Sequence, residues 1–267
     1  MALVDAGSSL RLRVLSALVL APLPLAAIWI GGPVLQILIA AAAVVMAWEW
    51  ARLCGGGAEL IAMVALSVVA AIAAGSLVGA VVTLIGALVI WLIELRRQGE
   101  APMWMAAGCL WVALPCIILL WLAQSETAGR VTLLWVFAIV WATDIGAYAV
   151  GRFVGGPRLA PRWSPGKTWA GLLGGIVCAA IAGWVTARVL GLSPALPLVL
   201  VSAGLAVVEQ FGDLAESVAK RRFGVKDASS LIPGHGGLLD RLDGLLAVIP
   251  AVALLTWLGG GSVLTWR

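Results

Sequence analysis

This chain carries little charge. Asp, Glu, Lys and Arg make up 11% of its 267 residues, against about a quarter in an ordinary globular domain. That is too little to solvate a soluble globule of this length. The four cysteines, Cys54, Cys109, Cys116 and Cys178, form no CxxC pair. Metal and disulfide roles are therefore set aside, and the cysteines read as small apolar residues in or beside hydrophobic runs. Basic residues nowhere interleave with aromatics on a soluble face, which argues against nucleic acid as a partner. Repeats of solenoid spacing and low-complexity tails are missing as well.

What fills the chain is apolar: 63% of it is hydrophobic and the mean hydropathy is +1.09. Runs of about twenty apolar residues recur, the length that crosses roughly 30 Å of hydrocarbon. The pattern predicts an all-α polytopic membrane protein with about nine spans, at 12–30, 34–51, 60–77, 79–95, 103–123, 131–150, 169–188, 196–214 and 243–264. Arg11 and Arg13 before the first run imitate a signal peptide, but with so many spans following they read as the flank of a first transmembrane helix.

The stretch 60–93 suits either one tilted helix or a hairpin, and charge decides between them. With a hairpin, 14 of the 17 Lys and Arg fall on one side and only Arg130, Arg188 and Arg267 on the other. Merging the pair would set Arg11, Arg13 and Arg52 against the remaining basic loops. The positive-inside rule makes the basic side, and with it the N-terminus, cytoplasmic and puts the C-terminus outside. Residues 1–130 then form an N-terminal transmembrane region of five spans. Residues 131–267 form a catalytic region whose longer cytoplasmic segments are 151–168 and 215–242.

The scarce charges are not spread evenly. "KRRFGVKDASSLIPGHGGLLDRLDG" (220–244) holds the only histidine, five of the 17 cations and three of the 13 carboxylates. Gly234, Gly236 and Gly237 around His235 permit positive φ and close backbone approach, as a phosphate-cradling nest requires. Asp240 and Asp243, spaced i, i+3 at the start of the last span, share a helix face. Helix capping accounts for one of these acids comfortably, but not for two acids, Arg241 and a lone His in one turn.

Upstream, Asp213, Glu216, Ser217 and Lys220 follow i, i+3, i+4, i+7 and form one polar stripe; a solvated helix end is the plainer explanation of it. Arg221 and Arg222 suit the anionic leaflet as well as a substrate. Asp144 lies about six residues, or roughly 9 Å, inside its span. A carboxylate there costs on the order of 2.5–3.5 kcal/mol, so it should face a partner or a wet cavity.

In "SPGKTWAG" Ser164 reads as an N-cap and Pro165 as the first turn of a helix, with Lys167 completing an anion site. The GKT invites a P-loop reading, which fails because Pro161 stands where that motif needs Gly and no strand precedes it. Gly171, Gly175, Ala179 and Gly183 recur every four residues, as in small-residue helix packing. Glu49, between Trp48 and Trp50, reads as a snorkelling acid in an interfacial anchor. Carboxylates with few histidines and no cysteine suit Mg²⁺, which also ligates substrate phosphates.

"SVAKRRFGVKDASSLIPGHGGLLDRLD" (217–243) resembles the signature of phosphatidate cytidylyltransferases, the CDP-diacylglycerol synthases. "WATDIGAYAVGRFVG", "LAPRWSPGKTWAG" and "QFGDLAES" resemble the family too, so the likeness is strong over about 140–244. Ala219 departs from the usual larger aliphatic. Ala170 stands where many members have Glu, with Glu209 as its candidate replacement.

The resemblance implies transfer of CMP from CTP to phosphatidic acid, releasing pyrophosphate, in phospholipid biosynthesis at a bacterial inner membrane. It implies Mg²⁺ on Asp213 and Asp240, helped by Asp243 and Asp144, and it admits a monovalent cation beside it. Lys167, Lys220, Arg221, Lys226 and Arg241 would surround the phosphates, with Ser164, Ser217, Asp227, Gly236 and Gly237 completing the substrate contacts. The nucleophile is a phosphate monoester, already largely dianionic near pH 7 (second pKa about 6–7). Accordingly His235 is expected to position the loop or a phosphate instead of abstracting a proton. The Gly and Ala faces allow a homodimer. A CTP-dependent lipid kinase of similar architecture is the nearer rival and an ion-coupled transporter the more distant one.

Overall fold

The computed structural model describes residues 20–99, 101–124 and 128–266. The start of the first expected span, with Arg11 and Arg13, lies outside these residues, as does Arg267. Helix is nearly the only secondary structure described: α1 (Pro22–Ile30), α2 (Gly32–Cys54), α3 (Ala58–Ala74), α4 (Ser76–Arg96), α5 (Pro102–Ala123), α6 (Gly129–Phe153), α7 (Trp169–Val189), α8 (Leu196–Arg222) and α9 (Leu239–Leu258). Two short strands, β1 (Arg158–Ala160) and β2 (Ser164–Thr168), pair antiparallel between α6 and α7. Among the described residues seven helices, α2 and α4–α9, are long and apolar enough to cross a bilayer. The chain is an integral membrane protein by that measure. Large apolar side chains such as Leu77, Val189 and Trp257 point outward, where hydrocarbon is a good solvent for them.

The chain divides into two compact units, Met1–Trp121 with Arg222–Leu242, and Leu122–Arg221 with Asp243–Arg267. In the first, the ambiguous stretch 60–93 is a hairpin, as the charge distribution requires. Gly75 breaks it with φ 97°, and Gly79 lies so close to α3 that a Cβ there would meet Ala71 Cβ at 2.5 Å. Arg97 and Glu59 close the open end of the hairpin at 2.8 Å. Trp50 of α2 donates its indole N–H to Trp104 O of α5 at 2.8 Å, which ties those two helices together.

In the second unit α6 and α7 approach through glycine. A Cβ on Gly174 would stand 2.5 Å from Val150 Cβ and 2.8 Å from the Gly146 carbonyl. The four-residue glycine period does serve packing, and it also reaches α8, whose Ser202 leaves no room for a Cβ on Gly183.

One expected boundary is wrong. "SPGKT" is not a helix start: Ser164–Thr168 is strand β2, and α7 begins at Trp169 with Thr168 as its cap. Thr168 Oγ1 accepts from Gly171 N at 3.0 Å, so the hydroxyl three residues before a free N–H takes the capping role and Ser164 pairs with Ala160 instead. Thr168→Ala should cost about 1 kcal/mol, read as a lowered thermal midpoint in detergent. An unchanged midpoint would mean that the hairpin alone sets where α7 begins. The helix of the eighth span continues past the membrane interface to Arg222, as 209–222 reads, whereas α9 covers 239–258 instead of 243–264.

Candidate active site

The polar residues form two groups, one in each compact unit. In the second unit the centre is Lys167. Strand β2 directs it to α8, where its Nζ lies 2.7 Å from Asp213 Oδ2. The same ammonium donates to Gln210 Oε1 at 2.9 Å and to Gln210 O at 3.4 Å. An ammonium carries three protons, and three oxygens receive them here. Gln210 Nε2 donates onward to Glu209 Oε2 at 2.8 Å, and Glu209 is within hydrogen-bonding reach of Asp144 on α6. Asp144 therefore has the partner that its depth in the span demands.

Farther along α8, Ser217 Oγ donates to Asp213 Oδ1 at 3.4 Å, and Lys220 Nζ stands 3.0 Å from Glu216 Oε1. Asp243 of α9 sits in the field of Glu216, Asp213 and Lys220. The 213–220 stripe is thus not a solvated helix end, because Glu216 and Lys220 are 1% and 8% exposed. Buried charges persist only when paired, and Asp213 and Glu216 each have a lysine beside them. Arg221 Nε donates to Trp163 O at 3.3 Å, which ties the end of α8 to the hairpin carrying Lys167.

The first unit holds the glycine loop. Gly234 and Gly236 have the left-handed φ expected of them, 78° and 82°. Ile232 N donates to Gly236 O at 2.8 Å and His235 N to Ile232 O at 2.9 Å, a tight turn that fixes the half-buried His235. Three successive N–H groups are then taken by carboxylates. Gly237 N donates to Asp240 Oδ2 at 2.8 Å, Leu238 N to Glu49 Oε1 at 2.9 Å and Leu239 N to Glu49 Oε2 at 2.7 Å. Asp240 Oδ2 also accepts from Ala228 N at 2.9 Å, and Glu49 Oε1 from Ser229 Oγ at 2.6 Å. Gly237 owes its identity to close approach, since a Cβ there would collide with Glu49 Oε1.

Lys226, Asp227 and Arg241 are exposed on the same stretch, and Ser164 is half-buried at the head of β2. Among the described residues no three His, Cys, Asp or Glu side chains form a ready-made metal cage.

Sequence reasoning missed the part played by two residues and misread a third. Gln210 and Glu209 carry the network between Lys167 and Asp144; the signal available was two adjacent polar residues within an apolar helix. Glu49 is no snorkelling anchor. It is fully buried and bonded to a segment 180 to 190 residues away. The membrane cost of an acid, applied to Asp144, applied equally to Glu49 and required a partner there too.

The model of the cytidylyltransferase family matches residues 11–258. The chain belongs to that family. It is 37% identical over 265 residues to the phosphatidate cytidylyltransferase of Brucella suis biovar 1 (strain 1330), covering 94% of each chain. It is 38% identical over 268 residues to the phosphatidate cytidylyltransferase of Pseudomonas aeruginosa PAO1, covering 94% of this chain and 98% of that one. The Haemophilus influenzae phosphatidate cytidylyltransferase is 43% identical over 127 residues, 46% of this chain and 44% of the relative. Membership makes this chain a nucleotidyltransferase. The signature read from 217–243 thus belongs to a match that covers nearly the whole chain.

Proposed function

We propose that this nucleotidyltransferase transfers CMP from CTP to phosphatidic acid, giving CDP-diacylglycerol and pyrophosphate for phospholipid synthesis. The observation that carries the reading is near-full-length similarity to proteins named for that reaction. In the transfer a phosphate oxygen of phosphatidate attacks the α-phosphorus of CTP. The new P–O bond forms as the α–β bond breaks, and pyrophosphate leaves with the electron pair. The attacking group is an anion already, so the chain's task is to align two polyanions and offset their charge.

Mg²⁺ suits the oxygen-only donor set of α8 and the start of α9. An ion usually held by one or two carboxylates, with phosphate and water completing the shell, needs no three-acid cage. Asp213 and Asp243 would hold it, and when bound it supplies charge neutralisation at the phosphate oxygens. Lys167 and Lys220, now paired with Asp213 and Glu216, are the cations placed to bind phosphate oxygens. Ser217 orients Asp213. Asp240 has one carboxylate oxygen committed to two loop amides, so its role in this proposal is to hold the His235 loop, with Lys226 and Arg241 beside it. The basic ends face the cytoplasm, where CTP is found.

The test is an assay of purified protein in detergent with phosphatidate, Mg²⁺ and CTP labelled at either the α or the γ position. Entry of α-label into lipid with release of pyrophosphate is expected. Entry of γ-label would make the protein a lipid kinase. Neither label entering lipid, with solute uptake by proteoliposomes, would make it a transporter.

A further inference from the structure

We infer that Glu49, on α2, is a positioning residue for the proposed CMP transfer, acting through the loop that carries His235. The inference rests on the functional reading above, and it concerns a residue far from the signature in sequence.

A carboxylate within an apolar helix is costly unless it is fully bonded, and Glu49 has no exposure at all. Its two oxygens receive three donors: the Ser229 hydroxyl and the N–H groups of Leu238 and Leu239. The last two stand at the start of α9, where the first N–H groups lack intrahelical partners and favour negative charge. Glu49 is therefore the N-terminal cap of α9, supplied by a helix nearly two hundred residues earlier.

Asp240 does the complementary work from inside α9, joining Gly237 N to Ala228 N. Each acid joins the beginning of the loop (228–229) to its end (237–239). Between these two clamps lie the glycine turn and His235, and just outside them lie Lys226, Asp227 and Arg241. The conformation of this segment is thus set by Asp240 of its own helix together with Glu49, which belongs to neither the loop nor that helix.

The role calls for a carboxylate. Glutamine has the length of Glu49 but one acceptor oxygen, and its NH₂ would face a backbone N–H. One helix-start amide then loses its partner and the loop must shift. Misplacement of about 1 Å is enough to cost on the order of a hundredfold in rate.

The test compares full-length wild type and Glu49→Gln in detergent, measuring equilibrium CTP-binding stoichiometry and turnover per titrated CTP site. A residue that merely stabilises the fold changes the number of sites and leaves each surviving site at full speed. The positioning role predicts near wild-type stoichiometry with turnover per site down about a hundredfold. Unchanged turnover per site overturns the inference. Should the variant yield no CTP-binding protein, Ser229→Ala decides, because it removes the 2.6 Å bond to Glu49 and, besides that, only the acceptor of the solvent-exposed Leu231 N–H. Turnover per site about fivefold lower is then expected, and a wild-type value would overturn the proposal. If the wild type itself moves no α-label into lipid, the functional reading fails, and that result is separate from either variant.

Discussion

Asp213→Asn should lower CMP transfer by about a thousandfold and leave the protein folded. The substitution keeps shape and removes one negative charge from the face that also bears Glu216 and feels Asp243. Catalysis suffers because charge at the phosphates must be offset by groups already in place, and the change removes a carboxylate proposed to hold the ion. Folding suffers little, for two reasons. Lys167 retains Gln210 Oε1 and Gln210 O as acceptors, and Asp243 loses a like-charge neighbour, which offsets part of the lost ion pair. The expected result is turnover near background, a thermal midpoint within a few degrees of wild type and a raised Mg²⁺ requirement for whatever activity is left. A variant with more than a tenth of wild-type turnover would move the ion away from Asp213. A collapse of the midpoint would instead make the Lys167–Asp213 pair chiefly structural.

Lys167→Met should be nearly as damaging, at about a hundredfold or more in kcat/KM for CTP, and arginine should not rescue it. Nζ meets three oxygens, at 2.7, 2.9 and 3.4 Å, which matches a tetrahedral ammonium with three donors. A planar guanidinium on a longer stem cannot reproduce that arrangement. Methionine fills similar volume but leaves Asp213 Oδ2 and the Oε1 of the buried Gln210 without the lysine donor. Part of the loss will be this unmet hydrogen bonding. Comparison with Gln210→Leu separates the two contributions: that variant keeps the lysine charge and its contacts with Asp213 and Gln210 O, and removes the Gln210 side-chain bonds to Lys167 and to Glu209. If Lys167→Met and Gln210→Leu lose the same activity, Lys167 serves as a strut for α8. If Lys167→Met loses at least tenfold more, its charge acts on the substrate phosphates.

Much of this architecture is legible without coordinates because a bilayer imposes a one-dimensional rule. Length and hydropathy locate helices α2 to α9, and the lopsided distribution of Lys and Arg splits 60–93 into the hairpin that Gly75 makes. Helical spacing likewise gathers Asp213, Glu216, Ser217 and Lys220 onto one face, since i, i+3, i+4, i+7 leaves no other outcome in a helix. The signature around His235 is legible for another reason, the concentration of rare residue types in one short segment.

Where the chain folds back on itself, the linear reading gives out. Ser164 followed by Pro165 satisfies every local rule for a helix start, yet pairing with Arg158–Ala160 claims the segment as a strand and leaves capping to Thr168. Glu49 beside two tryptophans satisfies the local rule for an interfacial anchor, yet its carboxylate is wholly buried beneath a loop contributed from the far end of the chain. Sequence by itself determined the helices, the acid stripe and the family. Only the tertiary structure decided which donors each buried carboxylate meets, because a hydrogen-bond partner is chosen by proximity in space and the cost of burying a charge makes that choice obligatory.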